Sequence, residues 1–138
     1  MRLAWEYNHH SGSEEWVRRG LREWLTGILE VPRIRLRPGV TSDIRQHVRA
    51  EFEKEGWAIN VKIDPDYELS VFAIRDDLAV QLQTGNMSRA PYDLLKLQYL
   101  HLARRIAAAV FRPAAANSRT CASTAKRLIN FTICSRSS

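Results

Sequence analysis

An α/β (α+β) domain, with a β-hairpin at its core and helices on its flanks, is the fold class this sequence predicts. Three observations predict it. Residues 68–83 hold two short runs rich in β-branched, aromatic and aliphatic side chains, joined at Arg75, Asp76 and Asp77, which is the pattern of a hairpin. Residues 16–29 and 94–104 instead repeat apolar side chains at helical spacing. At 138 residues, with 45% apolar and 26% charged side chains, the chain is sized for one domain around one core.

Taken in order, residues 2–7 read as a short strand. His9 and His10 are adjacent, so their side chains diverge and lack the spacing of a helical metal pair. Ser11 and Glu14 spell a capping box. Trp16, Val17, Leu21, Trp24, Leu25, Ile28 and Leu29 then form one stripe of a single helix that Pro32 ends. In PRIRLRP at 32–38, an extended chain would put Arg33, Arg35 and Arg37 on one face. Three forked guanidinium groups there suit phosphate contact; equally, they suit an edge strand whose charges discourage pairing with other chains.

Thr41, Ser42 and Asp43 cap a second helix over 43–55, with Ile44, Val48 and Phe52 every fourth residue and Gly56 at its end. Trp57, Ile59, Val61 and Ile63 alternate as a strand leading into the hairpin. On the hairpin's second strand Gln81 and Gln83 share one face. Two long polar side chains on an apolar strand are costly to bury unpartnered, so a partner, a ligand or solvent must satisfy them. A polar loop, 84–89, precedes a helix with Pro91 in its first turn; 106–111, rich in alanine, could prolong that helix.

The run DDLAVQLQTGNMSRAPYDLLK, 76–96, resembles the core of the BglII/BstYI type of type II restriction endonucleases, within the PD-(D/E)xK nuclease fold. Tyr7, Asn8, His9, His10, Ser11 and Gly12 are similar to that family's opening Tyr-Ser-His-x-x-Gly. The resemblance covers residues 1–112, a restriction-endonuclease-like domain; 113–138 is expected to be an irregular basic tail of truncated or frame-shifted origin. What the resemblance implies is a central mixed sheet, a strand rather than helix over 106–111, and metal-dependent hydrolysis of double-stranded DNA at a short specific site, by a homodimer using Mg²⁺. Family members carry an Asp on the first hairpin strand, nine residues before the Glu of a Glu-x-Gln on the second. Alignment on Gln83 puts Phe72 at that Asp and Gln81 at that Glu.

Hydrolysis of this kind needs carboxylates to hold a hard cation, which a phenyl ring and an amide do not supply. Of the nearby acids, Asp66 is the candidate to take over that role beside Gln81 and Gln83, although Asp64, Pro65 and Asp66 are also good turn chemistry. Asn86, Ser88 and Arg89 are the loop residues expected to meet DNA phosphate. A non-cleaving relative that binds DNA or acts as a scaffold stays open beside the nuclease.

Net charge is +6, and from Leu94 onward there are eight basic residues and no acidic one. A basic chain is compatible with a nucleic-acid partner. No apolar run approaches the roughly 18 residues of a membrane span, and MRLAWEYNHH lacks the apolar core of a secretion signal. A cytoplasmic protein without a membrane partner is expected. Cys121 and Cys134 match no metal spacing and are expected as free thiols.

Overall fold

The computed structural model describes residues 7–8, 11–29, 40–84, 87–113 and 131–134. Its elements are β1 (Tyr7–Asn8), α1 (Gly12–Arg18), α2 (Arg22–Leu29), α3 (Val40–Lys54), β2 (Ala58–Asp64), β3 (Leu69–Arg75), β4 (Leu78–Gln83), α4 (Ala90–Leu102), β5 (Ala108–Pro113) and β6 (Phe131–Cys134). The strands form one sheet in the order β1-β6-β5-β4-β3-β2. It is mixed: β4 and β5 run parallel, as do β1 and β6, and the other neighbours are antiparallel. Within the tail expected to be irregular, Phe131–Cys134 supplies β6. Among the described residues no helix is long and apolar enough to cross a membrane.

Two helical layers cover the sheet. On one side Trp16, Leu25, Val48, Phe52 and Trp57 pack with Phe72, Leu78, Val80, Leu82 and Val110. On the other, Leu97 and Leu100 of α4 pack with Val71, Ala79, Ala109 and Phe111. Three tryptophans stack on the first side: the Trp16 and Trp24 rings each lie 5.9 Å from Trp57, almost parallel to it. Phe52 tilts against Trp24 and Trp57 and meets the edge of Phe72.

The first helix differs from expectation in two ways. Ser11 sits at φ 58 and makes no side-chain cap; the Ser13 N–H is instead taken by Asn8 Oδ1 at 3.1 Å. The helix also breaks in the middle. Gly20 adopts φ 68, its N–H bonding Val17 O while Leu21 N–H bonds Trp16 O. That is a C-terminal closure only a residue tolerant of left-handed backbone makes cheaply. The break turns α2 so that both Trp16 and Trp24 reach Trp57. Gly56, at φ 77, closes α3 in the same manner, with Trp57 N–H on Phe52 O.

Candidate functional site

The site is made by a fault in the sheet. β3 and β4 pair through Arg75↔Leu78, Ile74↔Ala79 and Ala73↔Val80, and the ladder stops there. On the other side of β3, Ile59 pairs with Ala73 and Val61 with Val71, so Asn60 faces Phe72. Asn60 lies at φ 53, a left-handed residue inside a strand. Its neighbours consequently part company: Ile59 packs on the tryptophan side and Val61 on the α4 side. The expected simple alternation of Trp57, Ile59, Val61 and Ile63 therefore changes face half-way. β3 loses its alternation at the same level, since Phe72 and Ala73 both join the tryptophan cluster while Val71 and Ile74 belong to the other.

Where the ladder stops, a side chain takes over. Gln81 Oε1 accepts the Phe72 N–H at 3.0 Å, and Gln81 Nε2 donates to Asp93 Oδ1 at 2.9 Å. Only this amide orientation satisfies both neighbours. Asp93, in the first turn of α4, is 3% exposed. Its Oδ1 also pairs with Lys96 Nζ at 2.7 Å, the two side chains 5% and 9% exposed. Lys96 Nζ in turn donates to Ser70 O at 2.9 Å and lies 5.3 Å from the Tyr92 ring centroid. Two strands that no longer hydrogen-bond each other are thus joined by Gln81 at Phe72 and by Lys96 at Ser70. Gln83 is buried one pleat further along β4.

The other expected residues lie apart from this network. Asp66 is exposed in the turn between β2 and β3, where Asp64 Oδ1 accepts the N–H groups of Asp66 and Tyr67 at 2.9 and 3.2 Å. Here Asp64 performs the turn chemistry of an Asx motif. Ser88 and Arg89 are exposed on a short 3₁₀ turn, Met87–Arg89, that leads into α4. Arg33, Arg35, Arg37 and Asn86 lie outside the described residues. On the opposite face an open groove of about 610 Å³ runs between α3 and the fault. Arg45, Arg49, Asn60 and Phe72 are among its lining. Arg45 stands 6.0 Å from the Phe72 ring centroid, and Arg49 pairs with Glu53 at 2.8 Å.

Sequence reasoning missed Asp93 and Lys96. An acid in the first turn of a helix, three residues before a lysine, has the signature of a solvated surface pair. The signal that could have found them was Gln81, whose burial demanded a partner. Asp93 is that partner.

The residues around the fault do not fit Mg²⁺. The ion takes near-octahedral oxygen ligands at about 2.0–2.1 Å and is usually held by one or two carboxylates. Phe72 offers no ligand, the Gln81 oxygen already accepts an N–H, and the Asp93 oxygen facing Gln81 is shared with Lys96. Among the described residues no group of three or more His, Cys, Asp or Glu side chains could hold a metal ion.

A family model described as restriction endonuclease BglII/BglIII matches residues 5–117. No curated protein and no solved structure matches the chain.

Proposed function

The chain belongs to the restriction endonuclease BglII/BglIII family, and from that premise we propose that it is a member that holds duplex DNA without hydrolysing it. The observation that carries this reading is Gln81. It stands where the family's pattern has the metal-binding Glu, and both ends of its amide are committed to the protein, to Phe72 and to Asp93. A side chain so used is a structural tie between strands.

DNA contact itself does not depend on that position. The cationic side chains of this fold supply it by neutralising phosphates, a term independent of base sequence. Arg45 in the groove, Arg89 before α4 and Arg33, Arg35 and Arg37 are the groups we assign to it. The unit we assign to DNA is a homodimer, as the family resemblance implies; its two-fold axis suits a palindromic site, which presents two equivalent half-sites.

The second reading is site-specific, Mg²⁺-dependent cleavage. One observation favours it: a buried carboxylate, Asp93, lies directly beside Gln81, with Gln83 following on the same face. Supercoiled plasmid separates the two. With Mg²⁺, Mn²⁺ or EDTA, the proposal expects intact plasmid, retarded on a gel by the protein and released by salt. Discrete fragments that need the metal would establish the second reading instead. Neither fragments nor retardation would remove both.

A further inference from the structure

The Gln81 amide and the Lys96 ammonium share one oxygen, Asp93 Oδ1, at 2.9 and 2.7 Å. We propose that the Lys96 ammonium is the resident cation of this site, and that this internal cation keeps divalent metal out. The inference deepens the non-hydrolytic reading above and rests on it.

The geometry is that of a cation among oxygens. Lys96 Nζ lies 2.7 Å from Asp93 Oδ1 and 2.9 Å from Ser70 O, with the Tyr92 ring on a further side at 5.3 Å. These are hydrogen-bond lengths, longer than the about 2.0–2.1 Å of a Mg²⁺–oxygen bond. The two oxygens come from β3, at Ser70, and from α4, at Asp93, and the same Asp93 oxygen carries the Gln81 amide of β4. A bridging cation is what such a gap calls for. An ammonium with three rotatable donors meets it without losing bound water from a divalent ion.

Charge balance points the same way. With Gln at position 81 the buried network holds one carboxylate and one ammonium, and its net charge is zero. A divalent ion in the ammonium's place would leave it at a net charge of +1, in a setting where uncompensated charge is expensive. With Glu at position 81, as in the family's pattern, a second negative charge would be present, and a single ammonium could not balance it. Loss of the Glu and occupancy by Lys96 are therefore two halves of one change. Neither half is explained by α4 alone, since an exposed lysine on a helix would be free to leave its aspartate for water.

The test is direct Mn²⁺ binding, followed by the electron paramagnetic resonance of free Mn²⁺ and by the metal-dependent shift in Tm, with EDTA as control and no DNA present. Four proteins are compared: wild type, Gln81→Glu, Lys96→Ala, and Gln81→Glu with Lys96→Ala. The double variant is expected to bind one equivalent and to gain at least about tenfold in affinity over Gln81→Glu, in which Lys96 still occupies the site. Wild type is expected to take up none at 1 mM, roughly the weak end of protein cation sites. Two results would overturn the proposal: stoichiometric Mn²⁺ on the wild type that Asp93→Asn abolishes, or equal affinity of Gln81→Glu with and without Lys96. If Lys96→Ala does not fold, Lys96→Gln serves in its place, and the wild-type measurement stands by itself. Plasmid that is neither cut nor retarded would remove DNA binding while leaving this result untouched, so the two readings fail separately.

Discussion

At the scale of residues, the network around Gln81 is a set of groups that cannot be removed singly. Asp93→Ala would leave Lys96 without its anion and the Gln81 amide without its acceptor, in a place from which water is nearly excluded. Breaking a buried pair by deleting one partner costs about 3–5 kcal/mol, and urea denaturation should show a loss of that size for Asp93→Ala. Replacing Asp93 and Lys96 together by apolar residues should cost much less than the two single changes added, because neither charge is then stranded. A loss below about 1 kcal/mol in Asp93→Ala, the size of an exposed pair, would place the pair in solvent. Gln81 was legible in the sequence because an amide on an apolar strand poses a question by itself. Asp93 and Lys96 were not, since burial of a helix-surface pair depends on where β3 ends its ladder, and partners 12 and 26 residues apart, Gln81 with Asp93 and Ser70 with Lys96, leave no local pattern.

At the scale of elements, two departures from regular geometry set the site. One is Asn60, whose φ of 53 turns β2 over at the level of Phe72. Left-handed backbone costs a residue with a Cβ about 1–2 kcal/mol, and Asn less than most. Asn60→Val is therefore expected to lose about 1–2 kcal/mol in chemical denaturation, while Asn60→Gly should be close to neutral. Equal effects for the two would mean that backbone handedness is not what the position selects. The other is the break at Gly20, which leaves Arg19 at the end of α1 paired with Asp77 in the turn between β3 and β4. The Arg19 hydrogen bond holds the Asp77 carboxyl below the usual range, and an Arg18 hydrogen bond does the same for Glu15.

A depressed carboxylate pKa gives stability that is present above the unfolded value and is lost as pH falls through the folded one. Melting between about pH 5 and pH 3 should accordingly show Tm falling, and Arg19→Ala should flatten that fall. The Asp77 side chain is 46% exposed, so screening limits its share to about 1 kcal/mol or less. An unchanged pH profile in Arg19→Ala would show that the pair does not hold α1 to the turn. The hairpin, α3 and α4 could be read from the chain by their periods, with Gly56 closing α3 and Pro91 opening α4. The expected cap of α3 was misplaced: the helix begins at Val40 and takes Thr41, Ser42 and Asp43 into its first turn. β5 was legible only through the family resemblance, its alanines suiting a helix equally well. Gly20 lies inside a continuous apolar stripe, so periodicity carried the first helix straight through it, and only the stacking of Trp16 and Trp24 on Trp57 explains the break.

At the scale of the whole molecule, α4 is apolar on two sides. Leu97 and Leu100 are fully buried, whereas Tyr92, Leu95, Tyr99 and Leu102 are 45%, 67%, 50% and 71% exposed. Their spacings of three, four and three residues put all four in one stripe on the side turned away from the sheet. In the proposed homodimer this stripe is the natural contact, since a two-fold axis sets it against the same stripe of the second copy. The buried area would be roughly 400 Å² from each copy, given that aromatic side chains bury about 150–250 Å². The total over both copies, about 800 Å², falls short of the about 1,200–2,000 Å² that a stable complex buries over its two partners. A dimer held by α4 alone should therefore be weak and concentration-dependent, and a DNA duplex offering two half-sites should tighten it by making the second contact intramolecular.

Sedimentation velocity is expected to show the average mass rising with protein concentration, and more sharply with a palindromic duplex. Leu95→Glu with Leu102→Glu should hold the protein as a monomer and weaken DNA binding at least about tenfold, since avidity from two linked contacts is worth that or more. Because both side chains are exposed, the folded monomer should keep its Tm. A monomer at every concentration in the wild type, or undiminished DNA binding in the double variant, would assign the α4 stripe some other partner and leave the protein to meet DNA one copy at a time.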